Sequence, residues 1–429
     1  MFPGAKIVAV DDNADELAKI VSALRQLQLA CIAYNYPDDP LPDKGAITES
    51  VRLIFLDINL IGGTSTNEDL ILTGPITVLD RIIKDNNGPY ALVTWSTNAS
   101  LHAKLLARIK NTPSLEKRQP FYSVFLDKND YLDDAPKLKA AVAKIFDDNP
   151  PFGALLDWER RVSTAGEKVL EVLHDVSGHF AGSSPSEKMD RLLCRLAEEA
   201  FGKKHAKEHI FEAVNEAVLP LLTDSLHTAF FSQGKSKLWS RAATKFGDTK
   251  KLGADALRSL NTSVVFERFD GIKPYRRGAV LAVPTWNDAA FSRRFGATPA
   301  ELVTGLLKIA AVPAELTWVL VGVQAACDFN QPKLGPLPFL LGAIVPSGIT
   351  RTGSPPKSVW VSPQLSPIPG LCSTGFTFEI MHGIPLAITR TSLKPSRYQV
   401  LGRFKDQITS VIAYEHHSNG ARVGAVTFS

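Results

Sequence analysis

Within the first 147 residues, five short apolar runs alternate with polar or helically spaced segments, and most of the runs stop at an acid or a hydroxyl. The runs are KIVAV (6–10), LACIAYN (29–35), VRLIFL (51–56), YALVTW (90–95) and FYSVFL (121–126). Between them, residues 13–28 place Leu17, Ile20, Val21, Leu24 and Leu27 at helical spacing, with Asn13 or Asp12 as cap. Residues 74–85, 98–111 and 135–148 also read as helices, and Pro75 suits the first turn of its helix. YPDDPLPDKG (36–45) has too many prolines for regular structure. Continuous apolar strands alternating with helices predict a doubly wound, five-stranded parallel sheet covered on both faces. Ligands of such sheets bind beyond the carboxyl ends of the strands.

The residues at those ends are therefore the candidates for chemistry. Strand one ends in Asp11 and Asp12, strand three in Asp57, strand four in Thr94, Trp95 and Ser96, and strand five in Asp127 and Lys128. Two carboxylates 4 Å apart repel by about 4 kcal/mol at an effective dielectric near 20, so converging acids require a cation. Three oxygens with water suit a hard ion such as Mg²⁺. A lysine and a hydroxyl beside it complete a clamp for the oxygens of a phosphoryl group. Asp57 is then a carboxylate nucleophile able to carry that group.

In this pattern residues 1 to about 148 resemble the receiver domain of two-component response regulators. The resemblance implies a flavodoxin-like fold with Asp57 as phosphoacceptor and a histidine kinase as donor. It implies Mg²⁺ held by Asp12 and Asp57, with Asp11 assisting through water and Asn59 offering its backbone carbonyl. Lys128 would hold the phosphate, Ser96 or Thr94 would supply the hydroxyl, and Phe125 would stand at the switch aromatic. The chain departs from the family at bulky Trp95, at Asn129 after the lysine, and at a long segment, INLIGGTSTNEDLILTG (58–74), after the acceptor.

Beyond DDNPPFG (147–153) the chain changes character. Residues 154–260 read as mainly helical. Residues 261–429 read as a β-rich α+β domain, with TSVVFERF among its strands and a closing helix over 396–417. Several isolated candidates lie here. His205 and His209 are four apart and able to share a metal, although lysines flank them. His174 precedes Asp175 as in a kinase phosphoacceptor, without the nucleotide lobe a kinase needs. Cys327-Asp328 with His382 is a thin case for a nucleophile. Arg397, Arg403 and Lys405 would share the closing helix as an anion or partner surface. No helix-turn-helix output domain is legible, and the architecture faintly resembles receiver proteins of Detocs-type anti-phage phosphorelays.

A net charge of +4 argues for no nucleic-acid partner, and no apolar run is long enough for a membrane helix. The start MFPGAKIVAVDD lacks a signal-peptide pattern, and the four scattered cysteines suggest reduced thiols, so a cytoplasmic location is expected. The expected function is a Mg²⁺-dependent phosphorelay protein, a switch or phosphate sink, that takes a phosphoryl group from a histidine kinase. Its C-terminal region would meet a downstream protein, and a homodimer is one expected assembly. The alternatives are an effector enzyme in the C-terminal region gated by the receiver, and a receiver scaffold without phosphate chemistry.

Overall fold

The structure, a computed structural model, describes residues 6–44, 50–60, 67–132, 134–231, 237–246, 253–284, 286–325, 335–394 and 396–420. It divides into two compact units, one of residues 1–167 and 225–246, the other of residues 168–224 and 247–429.

The first unit is built on five strands: β1 (Ile7–Asp11), β2 (Cys31–Asn35), β3 (Leu53–Asp57), β4 (Ala91–Ser96) and β5 (Tyr122–Asp127). All pair in parallel, in the order β2-β1-β3-β4-β5. Helices α1 (Ala14–Gln26), α2 (Glu68–Ile82), α3 (Ala99–Asn111), α4 (Lys128–Tyr131) and α5 (Ala135–Asp148) follow their strands. Alternate strand residues go to opposite faces, so the sheet has two cores. Ile54, Leu56 and Leu92 pack with Val78, Leu79, Leu101 and Leu105 on one face. Leu53, Phe55, Val93 and Trp95 pack with Ile20, Leu24, Leu138 and Val142 on the other. The doubly wound parallel sheet read from the sequence is present.

Helix α2 begins at Glu68, not at residue 74, and Pro75 lies inside it. The missed start signal is Asn67, whose side chain accepts from the Asp69 and Leu70 amides. Much of the long segment after Asp57 is thus helix, and residues 61–66 lie outside the described structure. Lys104–Glu68 and Arg108–Asp69 ion pairs tie the early turn of α2 to α3. The long helix α6 (Pro150–Ser177) starts in this unit, where Glu159 pairs with Lys6 and Arg52.

In the second unit, α7 (Pro185–Phe201), α8 (Lys203–Glu208) and α9 (Ile210–Phe231) follow α6, and α10 (Lys237–Ala242) returns to the first. After α11 (Ala254–Val265) come β6 (Phe266–Glu267), β7 (Ala279–Ala282), α12 (Asp288–Phe295), α13 (Pro299–Gly305), β8 (Thr317–Gly322), β9 (Pro336–Pro346), β10 (Val359–Val361), β11 (Phe376–Thr389), β12 (Val400–Phe404) and α14 (Asp406–Gly420). The strands form one antiparallel sheet of order β10-β11-β9-β8-β7-β12-β6, apolar on both faces. Half of TSVVFERF (262–269) is the end of α11, and only its Phe266–Glu267 is strand, as β6. The closing helix expected over 396–417 is instead β12 and then α14. Val400, Gly402 and Arg403 pair with β7, and Arg403 and Phe404 with β6, and strand pairing overrides the helical spacing of that stretch.

Gly278, at φ +77°, lets β7 meet β12; a Cβ there would lie 2.5 Å from Thr409 Oγ1 and 2.6 Å from the Phe404 carbonyl oxygen. Gly278→Ala is expected to destabilise this unit by at least about 2 kcal/mol, from overpacking plus left-handed strain. Hydrogen exchange of the β7 and β12 amides checks this.

Candidate functional site

The strand ends of the first unit converge as the sheet order requires. Strands β1 and β3 are neighbours, so Asp11 and Asp57 emerge side by side. Asp11 Oδ1 accepts from the Asn13 amide at 2.9 Å, and Asp57 Oδ1 accepts from the Asn59 amide at 3.2 Å. Each acid is thereby fixed by its own loop, with the other oxygen facing inward. Asp127 caps α4 through the Asn129 amide and sets Lys128 as the first helical residue.

Lys128 Nζ lies 3.1 Å from Asp11 Oδ2, 2.9 Å from Asp57 Oδ2 and 2.5 Å from Glu16 Oε2. Asp11, Asp57 and Lys128 are only 0%, 3% and 6% exposed. Asp12 is half-buried, and single carboxylate oxygens of Asp11, Asp12 and Asp57 all lie within 4.8 Å of one another. Three carboxylates thus contact one ammonium, and a fourth, Asp12, stands beside two of them. Burial, and then repulsion from Asp57, pushes the Asp11 carboxyl up to about 7. Burial also raises the Asp57 carboxyl above its ordinary value, against the lowering pull of Lys128. Burial opposes the charge on Lys128, but Asp57 and Asp11 outweigh it and raise its pKa. This excess of hard oxygen donors fits a divalent cation such as Mg²⁺.

The two hydroxyl candidates differ. Thr94 Oγ1 is 2.7 Å from His102 Nδ1 and 3.3 Å from the Val124 carbonyl, so its hydroxyl is engaged with α3 and β5. Ser96 ends β4, and its Oγ accepts from the Asn98 amide at 3.3 Å. Trp95, in register with Asp57, buries its indole in the core. Phe125 is half-buried in β5, its ring 6.2 Å from that of His102.

Sequence reasoning missed Glu16 and His102. An acid in the first turn of a helix reads as dipole compensation, and only the tertiary fold turns Glu16 toward Lys128. His102 sits on a helix with no motif around it.

The remaining candidates are scattered. His174 is exposed on α6, 3.8 Å from Asp175. Cys327 and Asp328 lie outside the described residues. His382 is buried in the second unit, with Nε2 3.2 Å from Glu415. Arg403 is on strand β12 and not on the expected helix; Glu267 and Asp406 pair with it, so it offers no free cation. Arg397 stacks on Tyr398, and Lys405 falls between β12 and α14. The rings of His205 and His209 do meet, at 4.5 Å between centroids. Burial, then His209 and Arg390, lowers the His205 pKa.

No protein-family model matches the chain, and no curated protein matches it. Among solved structures, the crystal structure of NtrX from Brucella abortus in complex with ADP is similar, with 16% identity and a TM-score of 0.22. The similarity covers 50% of this chain and 40% of that one, so the chain spans about two fifths of that protein's length. Among the described residues, no helix is long and apolar enough to cross a membrane.

Proposed function

We propose that the first unit is a phosphoryl-accepting receiver. The observation that carries this reading is the buried Lys128 ammonium bridging Asp11 and Asp57, with Asp12 beside them, at the carboxyl edge of a parallel sheet. A carboxylate oxygen of Asp57 attacks the phosphorus of a phosphohistidine on a histidine kinase. The P–N bond breaks, the imidazole recovers a proton from water, and Asp57 holds an acyl phosphate. Asp11, Asp12 and Asp57, with the Asn59 carbonyl, would hold Mg²⁺, which neutralises phosphoryl oxygens. Lys128 shields another oxygen. Ser96 is the better hydroxyl, because Thr94 is committed to His102. The protein then serves as a signalling switch or phosphate sink, in the cytoplasm, with the second unit as the surface for a downstream protein. A place in bacterial anti-phage defence rests on architectural resemblance alone.

Incubation with acetyl phosphate and Mg²⁺ should add one phosphoryl group by intact mass, with none in Asp57→Asn or after chelation. An unmodified wild-type mass under all donors would make the unit a scaffold instead. Lys128 already donates to Asp11 and Asp57 and is ion-paired with Glu16, so three carboxylates compete with an incoming phosphoryl oxygen for its ammonium. Glu16, the most exposed of the three acids, is the one an incoming phosphoryl oxygen displaces at least cost. Glu16→Gln should therefore load about fivefold faster, the worth of a partly exposed ion pair of about 1 kcal/mol. Rates of adduct formation at fixed donor concentration check this.

A further inference from the structure

The elbow between α8 and α9 gathers nitrogen and oxygen donors that the phosphoryl site does not use. His205 lies in α8, and His209 caps its end, its amide bonded to the His205 carbonyl at 3.1 Å. The same residue opens α9, its carbonyl accepting from the Ala213 amide at 2.9 Å. The chain thus holds both rings on one side of the bend. The His205 ring stacks on Phe201, with centroids 5.5 Å apart and planes 18° apart, which fixes its direction. Glu208 joins them: one ligand atom from each of His205, Glu208 and His209 lies within 4.8 Å of the others. Glu212 Oε1 follows at 4.0 Å from His209 Nδ1.

We propose that His205, Glu208 and His209 bind one divalent transition-metal ion of the zinc class, with an open coordination position facing an adjoining cavity. Ligand atoms around a tetrahedral zinc lie about 3.4 Å apart, so these side chains close up by roughly an ångström on binding. Two imidazoles and a carboxylate prefer a borderline ion to Mg²⁺, whereas the all-oxygen set at Asp57 has the opposite preference. The cavity, of about 160 Å³, is lined by His205, His209, Glu212, Glu216, Tyr275 and Arg390 among others. The Arg390 guanidinium rests 4.8 Å over the Tyr275 ring. A metal on one wall and this cation on another suit a small oxyanion as the metal's exchangeable ligand. All of these groups belong to the second unit, so the site stands whether or not Asp57 is phosphorylated.

The full chain, equilibrated with Zn²⁺ in excess Mg²⁺, should bind one zinc with micromolar or tighter affinity. His205→Gln/His209→Gln should weaken this by roughly tenfold or more, while Asp11→Asn/Asp57→Asn leaves it unchanged. Zinc should also protect both histidines of the wild type from diethylpyrocarbonate, a readout that needs no variant to fold. Affinity unmoved by the histidine substitutions, zinc lost with the aspartates, or histidines left unprotected would each overturn the proposal.

Discussion

Lys128→Ala is expected to cost the first unit about 3–5 kcal/mol at neutral pH, the scale for stranding buried charge by removing its partner. The deletion leaves Asp11, Asp57 and Glu16 facing one another without their shared ammonium. The pH dependence follows from the acids. A carboxyl whose folded pKa is above its unfolded value holds its proton more tightly when folded. It therefore favours the fold at low pH and costs stability as pH rises. For Asp11 that window runs from its ordinary value of 3.8 to about 7. The ion-free wild type should lose stability across this window, and the Lys128→Ala deficit should widen through it. Adding Asp11→Asn to Lys128→Ala should recover much of the loss. Urea dependence of hydrogen exchange at the β1, β3 and β4 amides, at pH 5 and pH 8 with and without Mg²⁺, checks all three statements. A deficit independent of pH would contradict the charge account.

The second large effect concerns the other unit. Glu379 is wholly buried on β11 between Phe378 and Ile380. Its carboxylate is met by Arg351 and by the Thr377 hydroxyl at 3.3 Å. Arg351 also donates to the Leu307 carbonyl at 2.9 Å. Arg351→Ala should destabilise the antiparallel sheet by about 3–5 kcal/mol, because the carboxylate keeps its desolvation cost and loses its counterion. Arg351→Ala/Glu379→Leu should recover most of that, since an apolar side chain of similar volume suits the position. With two units in one chain, a single melting curve mixes their transitions. Hydrogen exchange of the β9 and β11 amides isolates the effect, and amides of the parallel sheet should not change.

The parallel sheet was legible because its central strands, β1, β3 and β4, are buried on both faces and therefore read as unbroken apolar runs. The acids were legible because strand ends are fixed once the strands are. Helix α2 was misplaced because proline is a strong start signal, yet here the flanking apolar face holds a helix around it. The 396–404 stretch was misread because its pairing partners, β6 and β7, lie more than 100 residues earlier in the chain. Glu16 escaped notice for the same reason: the residue that gives it meaning, Lys128, is brought to it only by the sheet.

Trp95 gives the proposed acceptor an optical neighbour. Its indole is fully buried, its ring nitrogen has no hydrogen-bond partner, and it sits one strand away from Asp57 in register. Its ring also lies 6.3 Å from Tyr131, on the short helix that Lys128 begins. Emission from an indole in so dry a place is blue-shifted and sensitive to small displacements of either element. The chain has six tryptophans, so the difference spectrum against Trp95→Phe isolates this one. Events at Asp57 and Lys128 can then be timed by intrinsic fluorescence, with no label attached.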